Sequence, residues 1–236
     1  MKLKFVLLAL LSFAAATQSY AQSICCLLGS SSLSGLGRPI TGNLNTTWEK
    51  GLLEDYAALI KLFNVRPHMF YLEEAGGPNA FATNQVFPDL LAAEGVTEKD
   101  SPDGTIFLGL KLIQMEARNT KGSLFSLPAI LAHEFAHAVQ FKTGCVLQGK
   151  KRELHADYIA GYFIAHRARF RKQSTTQAAK NFFAKGDYMF NDAQHHGTPE
   201  ERWNAFWAGY QLNKASKAPS GVNAYNQGLL YLRRLK

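Results

Sequence analysis

At 236 residues the chain has room for one well-buried domain and little for a second. Its 47% hydrophobic and 19% charged residues exclude a disordered chain and a membrane-filling one. The formal charge of +8 would suit a polyanionic partner, but Lys and Arg are scattered apart from Arg167-Ala-Arg169-Phe-Arg171-Lys172 and the C-terminus. They read as solvated helix faces, and no nucleic acid is expected.

Lys2 and Lys4 precede an apolar run from Phe5 to Ala16, and the small residues Ser19 and Ala21 stand three and one positions before Gln22. A spanning helix needs about 20 apolar residues, so this shorter run predicts an export signal over residues 1–21, cut after Ala21. The chain is then expected in the periplasm or outside the cell, with no integral membrane association after cleavage. Residues 22–44, Gly- and Ser-rich between Gly29 and Gly42 and holding Pro39, read as a flexible leader, and one domain is expected over residues 45–236. Export also permits a disulfide of Cys145 with Cys25 or Cys26, which leaves one thiol over; no two cysteines have the C-x-x-C spacing of a metal site.

Thr46 or Thr47 can cap a helix from Trp48 to about Phe63, whose Leu52, Leu53, Tyr56, Leu59, Ile60 and Phe63 recur at helical spacing. Met69-Phe70-Tyr71-Leu72 is a predicted strand. The turn Gly76-Gly77-Pro78 leads into Asn79 to Thr83, and the turn Ser101-Pro102-Asp103-Gly104 into Thr105 to Gly109, which together suggest a small sheet. Helices are predicted from Leu110 to about Asn119, from Ser126 to Gly144, from about Arg152 to Arg171, and around Gln177 to Phe183 and Glu200 to Tyr210.

The Ser126–Gly144 helix contains His133-Glu134-Phe135-Ala136-His137, the H-E-x-x-H pattern. Residues four apart on a helix lie on one face, about 6 Å apart along the axis, so both imidazoles can reach one ion. Zinc accepts such nitrogens. Glu134 is turned about 100° from His133 and can stand beside the metal as general base for a water. The flanking Leu131, Ala132, Phe135, Ala136, Ala138 and Val139 make the helix a buried one, in which two histidines need polar partners.

A catalytic zinc needs a third protein ligand and an open position. Arg152-Glu153-Leu154-His155-Ala156-Asp157 offers Glu153 as that ligand and, four residues on, Asp157 as acceptor from a ligand imidazole N–H. His155, the rival ligand, points some 160° to 200° around the helix from both. His68 and His166 are isolated and read as structural. Donors for a developing oxyanion are His195, His196, Arg202, Tyr158 and Tyr162, among which position does not choose.

Four segments resemble the gluzincin peptidases, and more closely the families of HtpX-type and CAAX-processing endopeptidases and of neutral zinc metallopeptidases. Asn79-Ala80-Phe81-Ala82, with Gly104-Thr105-Ile106-Phe107-Leu108 after it, is similar to their N-A-F-A element and the next strand. Leu131 to His137 resembles L-x-H-E-x-x-H, and Glu153 to Asp157 resembles E-x-x-A-D. His196-Gly197-Thr198-Pro199-Glu200-Glu201-Arg202 is similar to a late element with His at its start and Arg at its end. The likeness spans roughly residues 65 to 210.

It implies an α+β, zincin-like domain, mostly helical with a small sheet next to the H-E-x-x-H helix. It further implies Zn2+ on His133, His137 and Glu153, and His196, supported by Arg202, as oxyanion stabiliser. The strand at Asn79, Ala80, Phe81 and Ala82 would align a peptide or protein substrate by edge pairing. The integral-membrane members carry spanning helices that this sequence lacks, so an exported endopeptidase is expected. The competing readings are a non-catalytic zinc-stabilised envelope protein and a zinc amidase acting on cell-wall linkages.

Overall fold

The computed structural model describes residues 26–27, 33, 35–119, 126–167, 197–216 and 218–235. The expected signal over 1–21, Cys25, the basic run beyond Arg167, the helix around 177–183, His195 and His196 lie outside the described residues. The chain forms, in order, β1 (Cys26–Leu27), β2 (Gly37–Ile40), α1 (Glu49–Phe63), β3 (His68–Glu74), β4 (Ala80–Thr83), α2 (Pro88–Ala93), β5 (Thr105–Gly109) and α3 (Leu110–Asn119). The helices α4 (Leu127–Lys142), α5 (Gly149–His166), α6 (Pro199–Ala215) and α7 (Gly221–Arg234) follow. This is an α+β arrangement. Among the described residues no helix is long and apolar enough to cross a membrane.

The strands make one mixed sheet in the order β1-β4-β5-β3-β2, with β3 and β5 parallel, β4 and β5 antiparallel, and β2 antiparallel to β3. Side chains alternate across it, as a period of two requires. Tyr71, Ala80, Ala82, Ile106 and Leu108 face the helical core, whereas Phe70, Leu72, Phe81 and Phe107 turn to a second apolar cluster with Leu91 of α2. Phe107 stacks on both Phe81 (4.9 Å) and Phe70 (5.9 Å). The two alanines leave room for α4, which packs against β4 and β5.

The segment expected to be a loose leader enters the sheet. Gly37–Ile40 pairs with Tyr71–Glu74, and Cys26–Leu27 pairs in parallel with Ala82–Thr83. Glycine, serine and proline hid these strands. Pro39 has no N–H to give a second neighbour, and β2 occupies the outer position of the sheet where none is needed.

Helix α4 is buried over every residue from Leu127 to Gln140, because β4 and β5 cover one side while α1 and α5 cover others. A helix apolar all round belongs in such a place. Gly144, at φ +64°, ends it by letting the Cys145 N–H return to the Gln140 carbonyl at 2.9 Å. Helix α5 is likewise buried from Glu153 to Ala165, between α4, α6 and α7. Where α5 crosses α6 the contact is backbone on backbone: a Cβ on Gly161 would stand 1.9 Å from the Phe206 carbonyl oxygen, and one on Gly209 1.9 Å from that of Tyr158. Thr198 and Glu201 start α6 with a reciprocal capping box, behind which Pro199 takes the first turn.

Candidate metal centre

Two buried helices bring the polar side chains together. His133 and His137 project from α4, and Glu153 and Asp157 from the facing side of α5; all four are at most 6% exposed. The His133 Nε2 lies 3.2 Å from the His137 Nε2 and 3.2 Å from Glu153 Oε2, and the His137 Nε2 lies 3.6 Å from Glu153 Oε1. This buried His133–His137–Glu153 group can hold a metal ion.

The other ring nitrogens are tied back. His133 Nδ1 lies 2.8 Å from Asp157 Oδ1, and His137 Nδ1 2.8 Å from Gln140 Oε1. Both acceptors claim an N–H, which leaves the Nε2 atoms as lone pairs facing one another and a carboxylate. A cation between them satisfies that arrangement. Without one a proton must serve: burial works against charge on His133, but Asp157 and Glu153 outweigh it and push its pKa up to about 10. Donor type, spacing and charge therefore all fit a cation.

Asp157 has its own partner. Arg202 of α6 donates from Nε to Oδ2 at 2.8 Å and from Nη2 to Oδ1 at 2.9 Å, a buried bidentate pair. Burial would raise the Asp157 pKa, but Arg202 and His133 together hold it below the usual carboxylate range. The structure thus directs Arg202 to the carboxylate behind His133; the His196 that it was expected to support lies outside the described residues.

Glu134 is buried on α4, 2% exposed, next in sequence to His133. His155, the rival ligand, points elsewhere: its Nε2 lies 3.0 Å from the Tyr225 carbonyl oxygen and its Nδ1 3.1 Å from Gln140 Nε2. Burial, with His137 adding, lowers its pKa to about 4, so the ring is neutral. Of the two tyrosines considered as oxyanion donors, Tyr162 accepts the Ser220 N–H at 2.9 Å and Tyr158 packs on Tyr231 of α7. His68, the first residue of β3, pairs with Glu94 at 2.8 Å.

The strand expected to take substrate is already paired on both sides in part. Asn79 precedes β4, Ala80 to Thr83 pair with β5, and β1 covers Ala82 and Thr83 on the other edge. Open N–H and C=O groups on an edge attract any extended segment, here the chain's own. Among the described residues Cys145 has no disulfide partner and lies beside Tyr225; the expected partner Cys25 lies outside the described residues, and of Cys26 only the strand pairing is described.

Sequence reasoning missed Gln140, which lies one turn beyond His137 on the same helix face; the spacing i, i+3 was the available signal. No protein-family model, no curated protein and no solved structure matches the chain.

Proposed function

We propose that this centre is a catalytic zinc site and that the chain is an exported metalloendopeptidase of the gluzincin type on a zincin-like fold. One observation carries the reading. Ligand atoms about 2.1 Å from a tetrahedral ion stand about 3.4 Å apart; the two Nε2 atoms are 3.2 Å apart, and the Glu153 carboxylate lies 3.2 Å from one through Oε2 and 3.6 Å from the other through Oε1. Three protein donors leave a fourth position for water or a carbonyl oxygen, as catalytic rather than structural zinc sites do.

Zinc held there supplies Lewis acidity toward the scissile carbonyl and the attacking water. The chain's own residues do the rest. Glu134 takes the water proton on its carboxylate and passes it to the leaving amine. Asp157, held by Arg202, accepts from His133 Nδ1 and fixes that ring with its Nε2 inward. His196 is assigned to the developing oxyanion through the resemblance alone.

Purified protein is assayed for metal content and for cleavage of casein, a peptide library and peptidoglycan, wild type beside Glu134→Gln. One zinc per chain is expected in both, with chelator-sensitive cleavage of peptides in the wild type only. Full activity of Glu134→Gln would sink the mechanism, and digestion of peptidoglycan alone would redirect it to an amidase. The burial of the ligands, with Glu153 the most open at 6%, favours as second reading a zinc that only stabilises the fold. Bound zinc without cleavage of any substrate would establish it.

A further inference from the structure

The two ligand histidines are held from behind in different ways. His133 leans on a charged pair, Asp157 and Arg202, whereas the partners behind His137 are neutral: Gln140, His155 and two main-chain carbonyls. We infer that Gln140 and His155 are positioning residues that fix His137 in the Nδ1–H form through a chain of hydrogen bonds of single polarity, anchored on α7.

The polarity follows from the ends. A carbonyl oxygen only accepts, so the His155 Nε2 that lies 3.0 Å from the Tyr225 oxygen must carry the proton, which leaves Nδ1 as the lone pair. That lone pair faces Gln140 Nε2 at 3.1 Å, and the same amide nitrogen lies 3.0 Å from the Arg152 carbonyl oxygen. Both contacts require NH2 on that side; turning the amide over would set oxygen against oxygen. Gln140 Oε1 is therefore the atom 2.8 Å from His137 Nδ1, and it can only accept. His137 must hold its proton there and present a bare Nε2 to the centre.

Each step uses a buried group, with Gln140 2% and His155 0% exposed, so water does not offer a substitute partner. The chain also explains a glycine. A Cβ on Gly228 would stand 2.7 Å from His155 Cδ2 and 2.9 Å from its Nε2, so only glycine lets α7 close on the ring and deliver the Tyr225 carbonyl. The edge of the His155 ring and the Tyr225 ring meet at 89°, with centroids 4.8 Å apart, which fixes the imidazole plane. An amide behind His137 and a carboxylate behind His133 make the two rings unequal donors, since a charged acceptor raises imidazole basicity more than a neutral one.

The inference rests on the metal reading for its affinity readout and not for its structural one. Long-range proton–nitrogen NMR on the metal-free full chain reads the tautomers directly; His137 is expected with the proton on Nδ1 and His155 with it on Nε2. Zinc affinity, measured against a chromophoric chelator, is expected to fall by about 10- to 100-fold in Gln140→Leu. In that background His155→Phe should add less than about a further twofold, because the link is already cut. The Nε2–H form of His137, or losses that multiply in the double variant, would overturn the chain. If the wild type binds no metal, the metal reading fails and the tautomers alone decide the inference; they also decide it if the variants do not fold.

Discussion

Arg202 and Asp157 share two contacts, 2.8 and 2.9 Å long, and the Asp157 oxygen reached by Arg202 Nη2 is also the acceptor for His133. Arg202 on α6 is thereby connected to His133 on α4 through one carboxylate on α5. Cutting a buried pair on one side leaves a buried charge, which costs about 3–5 kcal/mol. Arg202→Ala should lose about that much stability in thermal or urea unfolding and bind metal more weakly. Unchanged stability would mean that the pair contributes nothing net.

Removing the ion should act on the fold as well as the chemistry. A ligand that binds only the native state stabilises it by about 4 kcal/mol at a thousandfold excess over its dissociation constant. The zinc-loaded protein should therefore melt well above the chelated one, and Glu153→Gln and His137→Ala should shrink or abolish the difference. Equal melting temperatures with and without chelator in the wild type would argue against a site built from these residues.

His155 predicts a particular acid sensitivity. Its folded pKa, about 4, lies below the ordinary 6.5, so the folded state keeps the ring neutral while the unfolded chain protonates it. Stability from this group is fully present above about pH 6.5 and is lost as pH falls toward 4, by about 3 kcal/mol in total. His155→Gln should be less stable than wild type at pH 7 but lose less on going to pH 4. Parallel pH profiles for the two proteins would refute this assignment of charge.

Gly161 and Gly209 allow a test from a distance. Neither belongs to the candidate metal centre, yet a methyl group on either would strike a main-chain oxygen at 1.9 Å and push α5 from α6. Gly209→Ala should cost upward of about 3 kcal/mol and weaken metal binding, since Arg202 travels with α6. The pair should be markedly non-additive, because one displacement relieves both clashes. Simple additivity would show that each glycine acts alone.

What was readable in advance was what local pattern controls. His133, His137 and Glu153 stood out because helical spacing alone puts the first two on one face, and β3, β4 and β5 were marked by apolar runs between turns. The strands at Cys26–Leu27 and Gly37–Ile40 were not, since tertiary pairing overrides the poor strand propensity of Gly and Pro. Helix α7 carries Gly221, Gly228, Asn223 and Asn226, a weak helical sequence that packs against α5 and is capped by Ser220. The Arg202–Asp157 pair and the contacts of Gln140 with Arg152 and His155 depend on how three helices cross, which no spacing along one of them encodes.

Burial of the ligand atoms has a kinetic consequence. His137 is closed from solvent and Glu153 is only 6% exposed, so the atoms that would hold an ion stand almost out of reach of water. Loading and release then wait on local opening around these side chains, so the half-time for chelator extraction reports how often the protein opens there, whatever the strength of the chelator.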